Sequence, residues 1–185
     1  VWRQADRYGV PRICFVNKMD RVGADYWRAI RSIEKRLGAN AIAVQVPVGR
    51  EGDFCGVIDL LEETFVQYGS EEDSEFQIRD VPADLQEEVA KHRVEMIDKL
   101  AELDLESAMT LAEHYLEGGE VTADMLRSVI REATLANKAV PVLCDTALRN
   151  KGIQLLLDAV VEYLPSPLDV PPMMGIDADS EEQVA

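Results

Sequence analysis

The stretch Val10-Pro11-Arg12-Ile13-Cys14-Phe15-Val16-Asn17-Lys18-Met19-Asp20 decides the fold. Its run Ile13–Val16 is apolar and β-rich, the kind of strand buried in a parallel sheet, and it breaks off in a polar loop. Residues 24–37 follow with Tyr26, Ile30, Ile33 and Leu37 at helical spacing, and Gly38 is a natural stop. The stretch Ala41-Ile42-Ala43-Val44-Gln45-Val46-Pro47-Val48 reads as the next strand. Strand, helix and strand at this spacing form a βαβ unit, so an α/β sheet is expected.

The same alternation resumes far downstream. Ala139-Val140-Pro141-Val142-Leu143-Cys144 is a second buried-strand pattern, followed by a helix with Ile153, Leu156, Leu157, Val160 and Leu164 on its apolar face. Pro165 stops that helix, and Pro165, Pro167, Pro171 and Pro172 predict a stiff, extended interdomain linker. Between the two α/β blocks the pattern changes. Val57–Leu60, Thr64–Tyr68 and Phe76–Arg79 read as strands, with a polar loop at Ser70–Glu75. Three helical patterns follow. The first carries Leu85, Val89, Met96 and Leu100. The second carries Leu105, Ala108, Ala112 and Leu116, with Asp104 as its cap. The third carries Leu126, Val129, Ile130 and Ala133 behind a Thr122 cap.

The charge breaks in the same places. The 185 residues carry a formal −16, but residues 1–50 hold ten basic and four acidic groups. Residues 51–138 hold seven basic and twenty-three acidic, and residues 139–185 two and eight. An acidic middle beside a basic start points to two units with different partners. A 47% hydrophobic content supports a real core and excludes bulk disorder. No run of 18 apolar residues exists, so no transmembrane helix is expected. Cys14, Cys55 and Cys144 are odd in number and set in apolar runs, which argues against a disulfide framework or zinc site and for a reducing cytoplasm. The start, Val1-Trp2-Arg3, has neither Met nor a signal-peptide pattern and reads as the interior of a larger protein.

Chemistry is concentrated in two loops. Asn17-Lys18-Met19-Asp20 lies at the carboxyl end of the first strand, where open α/β sheets bind ligands. A guanine ring offers a ring N–H and an exocyclic amine side by side, and the Asp20 carboxylate can accept from both. Adenine lacks that pair and would leave the carboxylate badly paired. Asn17 can bond the other edge of the base and tie the loops together. The methylene stem of Lys18 can lie over the ring, with Met19 turned into the core. The second loop, Asp145-Thr146-Ala147-Leu148, leaves the strand ending at Cys144. There the Ala147 N–H can reach the guanine carbonyl, the Thr146 hydroxyl can brace Asp20, and Leu148 can pack near the ring.

Together these loops resemble the elongation factor G family of translational GTPases. The same likeness runs through Val1–Ala5, Phe15–Arg21, Arg36–Asn40, Gly56–Leu60, Asn150–Gln154 and Tyr163–Pro171. Asn17, Lys18, Asp20, Thr146 and Ala147 match the family's guanine-contacting positions. Thr146 stands where Ser is also common, and Asp145 where Gly is frequent, which can alter the loop's geometry. The resemblance implies a partial P-loop-GTPase-type, Rossmann-like three-layer α/β sheet made from residues 1–48 and 139–165. It implies an inserted α+β subdomain at 49–138 and a linker at 166–185 leading to the next domain. It also implies GTP and GDP as substrate and product, ribosomal translocation of tRNA and mRNA as the parent's work, and a cytoplasmic location.

The phosphate side is not in this sequence. There is no Gly-rich loop ending in Gly-Lys-Ser/Thr, so no ligands for the phosphates or Mg²⁺ are expected here. Asp53-Phe54-Cys55-Gly56 spells a γ-phosphate motif but follows the guanine loop instead of preceding it. His92 and His114 fall in helical patterns with surface or packing roles. No catalytic residue is expected in this piece, which is read as inactive alone. A ribosome-protection or release-factor-recycling GTPase is the related alternative. An acidic protein-binding module without nucleotide function is the alternative from another class. The resemblance implies that the inserted subdomain meets the basic stalk protein of the ribosome, and the charge pattern assigns that contact to acidic helix residues, for example Glu87, Glu95 and Glu113, with no direct nucleic-acid contact and no membrane expected.

Overall fold

The computed structural model describes residues 1–69, 76–149, 151–169, 175–176 and 183–184. The expected polar loop Ser70–Glu75, Asn150 and most of the expected linker 166–185 lie outside the described residues. The chain opens with a short helix, α1 (Trp2–Arg7), that no periodicity announces. The Arg12 guanidinium lies 4.3 Å from the centre of the Trp2 ring and anchors it. Then come β1 (Cys14–Asn17), α2 (Tyr26–Leu37), β2 (Ala41–Ala43) and β3 (Gln45–Val48). Asp25 caps α2 by accepting from the Arg28 N–H, and Gly38 ends it in the left-handed conformation. Next are β4 (Gly56–Asp59), β5 (Thr64–Tyr68), β6 (Phe76–Asp80), α3 (Gln86–Ala101), α4 (Glu106–Leu116) and α5 (Ala123–Leu135). Then follow β7 (Val140–Asp145) and α6 (Ile153–Tyr163), and a two-residue pairing of β8 (Gly175–Ile176) with β9 (Gln183–Val184).

The expected α/β order is present, with β7 as the middle strand of a parallel sheet, β1-β7-β2. All six residues of β7 are buried, which is why its sequence is a nearly unbroken apolar run. A separate antiparallel sheet has the order β3-β4-β5-β6. The single strand expected over Ala41–Val48 is two strands in two sheets. Ala41–Ala43 pairs with β7, whereas Gln45–Val48 pairs with β4. The chain changes sheets at Val44, whose N–H still bonds the Val142 carbonyl and whose carbonyl accepts from Leu60. Beyond that point the Gln45 side-chain oxygen accepts from the Cys144 N–H at 3.0 Å, replacing the backbone partner that β7 has lost. Pro47 is tolerated because β3 is an edge strand.

The helices of the middle block share one core with the parallel sheet. Ile42, Val44, Ile58, Leu60, Met96, Leu100, Leu111, Leu126, Ile130, Leu143 and Tyr163 form a continuous buried cluster. The α5 stripe is fully used: Leu126, Val129, Ile130 and Ala133 are all buried, and Thr122 accepts from the Met125 N–H as the expected cap. Each large apolar side chain there stabilises by roughly 1.5–3 kcal/mol. Two expectations for α4 and one for α6 fail. Asp104 does not cap α4, which has no side-chain cap; instead its carboxylate lies 3.6 Å from Lys138. Leu116 is exposed, and Leu111 takes the buried place. In α6 the buried residues are Ala159 and Tyr163, while Leu157, Val160 and Val161 face outward.

Polar side chains knit the helices to their surroundings. Arg131 donates to the carbonyls of Glu162 at 2.7 Å and Leu164 at 3.3 Å, covering the last turn of α6 from α5. Trp27 of α2 stacks on His92 of α3 with ring centres 3.8 Å apart, and Lys99 of α3 bonds Glu34 of α2. Arg93 is a dense link. It donates to the carbonyls of Leu60, Leu61 and Val121, and its Nε lies 3.3 Å from Glu63. Arg93→Met would strand three carbonyls in a part-buried place, so it should lower unfolding free energy by roughly 2–4 kcal/mol. Urea unfolding checks this, and a loss below about 0.5 kcal/mol would contradict it.

Candidate guanine-recognition site

The two loops singled out in the sequence leave the carboxyl ends of neighbouring parallel strands. Asn17 of β1 and Asp145 of β7 are register partners, although 126 residues separate Asp20 from Thr146. The parallel ladder therefore places the loops side by side without any help from the loops themselves. Hydrogen bonds then lock them. The Thr146 hydroxyl donates to Asp20 Oδ1 at 2.7 Å. The Met19 N–H donates to the Asp145 carbonyl at 3.2 Å. Asn17 Oδ1 accepts from the N–H of Lys18 at 2.7 Å and from that of Ala147 at 3.1 Å.

Each sequence-predicted residue has a definite place. Met19 is buried and packs with Tyr26 and Cys144, which pins the loop's root to the core. Lys18 is exposed with a left-handed φ of 68°, so the chain turns there and presents its neighbours upward. Asp20 is half-buried, within reach of both loops. Thr146 is buried at 2% exposure, while Leu148 is 86% exposed and makes no part of the core. The Ala147 N–H, expected to face a base, is held by Asn17 in this geometry. A guanine carbonyl reaching it would share or replace that acceptor.

Beneath the second loop lies a group that sequence reading noted only as a departure from pattern. The Asp145 side chain is 1% exposed. Its Oδ1 accepts from the Thr146 N–H at 2.9 Å, and its Oδ2 accepts from the Tyr68 hydroxyl of β5. Burial pushes its carboxyl up to about 6, while the Tyr68 and Thr146 bonds and the Lys151 ammonium pull the other way. Because the folded value is raised, its contribution to stability is fully present below the ordinary carboxylate range and is lost as pH rises through about 6. Its charge is thus held at neutral pH against the fold's preference. Gly152, at φ +73°, leaves room for it: a Cβ there would lie 1.5 Å from Oδ2. Cys14, Cys55 and Cys144 are free thiols, and burial pushes all three up.

Comparison with known proteins identifies the family of this fold. Residues 1–166 match the family described as the elongation factor Tu GTP binding domain. The chain belongs to that family. It is 54% identical over 175 residues to elongation factor G of Thermotoga maritima and 53% identical to that of Thermotoga neapolitana. Both alignments cover 95% of this chain and 25% of the relative. A protein of Thermus thermophilus of known crystal structure superposes with a TM-score of 0.75 at 31% identity, covering 91% of this chain and 24% of that one. The chain spans about a quarter of the length of the curated relatives it matches. The resemblance read from its motifs holds, and so does the expected partial GTPase-type α/β fold with an α+β insertion, which takes the form of a parallel sheet and a separate antiparallel one.

In this GTP-binding domain, the remaining predicted residues stand apart from the two loops. Glu87 and Glu95 lie on α3 and Glu113 on α4, all exposed. Glu95 is engaged by His92, whose Nδ1 is 2.8 Å away. His114 bonds the Glu120 carbonyl at 2.9 Å, a packing role. Among the described residues, no three His, Cys, Asp or Glu side chains group to hold a metal ion. No helix of the described residues is long and apolar enough to cross a membrane.

Proposed function

We propose that this chain is the base-recognising part of a longer translocase-type GTPase. The observation that carries the reading is the Thr146–Asp20 bond between two loops at the carboxyl ends of adjacent parallel strands. Held by the Thr146 hydroxyl, the Asp20 carboxylate stands between the two loops. It accepts from the ring N–H and the exocyclic amine of guanine. The Ala147 N–H donates to the guanine carbonyl, the Lys18 stem covers one face of the ring, and the exposed Leu148 closes over its edge. Phosphate binding, Mg²⁺ and hydrolysis belong to residues outside this chain, which has no catalytic residue of its own. The test is equilibrium binding of GDP and ADP to the full-length protein. GDP should bind at least about 100-fold tighter, as two charge-assisted bonds imply. Equal affinities would overturn the reading.

The similarity to elongation factor G supports ribosomal translocation of tRNA and mRNA, in the cytoplasm, as the parent's work. We place the division between the GTPase part (1–48 and 139–165) and an insertion (49–138) near the sheet change at Val44, with residues 166–185 leading onward. The acidic surface of α3 and α4 docks the basic stalk protein and avoids RNA. Reversing Glu87 and Glu113 to Lys should weaken stalk binding several-fold at low salt and flatten its salt dependence. Reversing Glu95 should do less, since His92 already holds it. An unchanged salt slope in the double variant would sink this docking surface.

A further inference from the structure

We infer that Tyr68 and Asp145 form a buried positioning pair through which the antiparallel sheet sets the geometry of the guanine loop. The inference rests on the guanine reading of the two loops. Asp145 stands at the junction of four elements. Tyr68 reaches its carboxylate from β5, and Gly152 presses on it from the start of α6. Its main-chain carbonyl accepts from Met19 of the first loop, and its Oδ1 holds the Thr146 N–H. Thr146 is the residue whose hydroxyl holds Asp20, so the orientation of that hydroxyl is set from below. Tyr68 is packed beside Phe54, with ring centres 6.3 Å apart, and a Cβ on Gly152 would overlap the Asp145 carboxylate. The pair spans 77 residues of sequence and joins two sheets that are also linked by the strand crossing at Val44 and the Gln45 side-chain bond.

The charged form of Asp145 does the positioning. As a carboxylate it accepts from Tyr68 and Thr146 together; protonated, it carries a donor of its own and gives up an acceptor site. The groups facing it are the Tyr68 hydroxyl from β5, Lys151 from the turn before α6, and the neighbouring Cys144 thiol on β7. Burial raises both Tyr68 and Cys144, so neither loses its proton between pH 5 and 8. Its own carboxyl, near 6, is the group there that changes charge in this range.

The test uses the full-length protein with GDP as probe, and four proteins: wild type, Tyr68→Phe, Asp145→Asn and Asp20→Asn. Circular dichroism and thermal melting establish that each is folded. Tyr68→Phe removes one oxygen and Asp145→Asn one charge. We expect GDP affinity to drop about 5–20-fold at pH 7.5 in both, one net hydrogen bond's worth or slightly more. In wild type, affinity should fall about tenfold as pH drops from 7 to 5, with an inflection near 6 that Asp145→Asn abolishes. If Asp145→Asn does not fold, Tyr68→Phe carries the test alone, since its predicted loss involves no change of charge. Affinities within twofold of wild type and an unchanged pH profile, with Asp20→Asn still defective, overturn the positioning pair and leave the base site standing. An Asp20→Asn protein with normal GDP affinity removes the base site itself, and the positioning pair falls with it.

Discussion

Replacing Asp20 with Asn in the full-length protein is expected to lower GTP and GDP affinity by roughly 10²–10⁴ and to raise affinity for xanthine nucleotides. The loss is large because both base donors point at one carboxylate, and an amide can accept only one of them while aiming its own N–H at the other. Xanthine carries a carbonyl where guanine carries the amine, so the same amide N–H finds an acceptor there. The Thr146 hydroxyl donates to Oδ1 at 2.7 Å, and an Asn oxygen still accepts it, as a weaker neutral bond, so the loops stay braced. The variant should therefore fold while its nucleotide preference inverts. Competition of guanosine and xanthosine diphosphates for a labelled nucleotide reads this directly. Unaltered GDP affinity would refute the assignment of Asp20.

The second large effect is on stability. Gly152→Ala should destabilise the fold by roughly 2–5 kcal/mol, from a Cβ in left-handed backbone and from overpacking against a buried group. The added carbon would fall 1.5 Å from Asp145 Oδ2 and 2.6 Å from its Cβ, so the carboxylate must move. It cannot swing outward, because Tyr68 and the Thr146 N–H hold it. A double-mutant cycle separates the two causes. In an Asp145→Gly background the clash is gone and only the backbone strain remains, so Gly152→Ala should cost about 1–3 kcal/mol less there than in wild type. Additive free energies in urea unfolding would show that the carboxylate is not what Gly152 makes room for.

How much of this is readable beforehand depends on whether the information is local. Thr122, Leu126, Val129, Ile130 and Ala133 announce a capped amphipathic helix within twelve residues, and all five do what their spacing says. The first of the two loops is legible for the same reason: an apolar strand, a polar tetrapeptide and a helix follow one another directly. The sheet change at Val44 is not legible, because Ala41–Val48 is an equally good β pattern in one sheet or two. Periodicity likewise marks Leu157 and Val160 as an apolar face of α6 without saying whether anything covers it. The Asp104 cap fails because several polar residues near a helix start satisfy the same composition rule. Tyr68 and Asp145 are the deepest omission. Tyr68 reads as one more alternating strand residue, and only the folded chain reveals that its hydroxyl ends on a carboxylate 77 residues away.

Acidity also reads differently once placed. The formal −16 is not a property of the proposed base site, which lies between a basic first block and β7. It is gathered in the middle of the chain, where residues 51–80 hold ten acidic and one basic group and residues 81–138 thirteen and six. Charge therefore bears on which partner approaches that middle block, and says nothing against guanine at the sheet's edge.

The most direct measurement is a crystal structure of the full-length protein with GDP bound. The predicted result places the guanine ring N–H and exocyclic amine within about 3.2 Å of the Asp20 carboxylate, with the base carbonyl facing the Ala147 N–H and Thr146 still bonded to Asp20. A base seated away from Asp20, for instance in the groove lined by Trp27, Pro47 and Leu85, would contradict it.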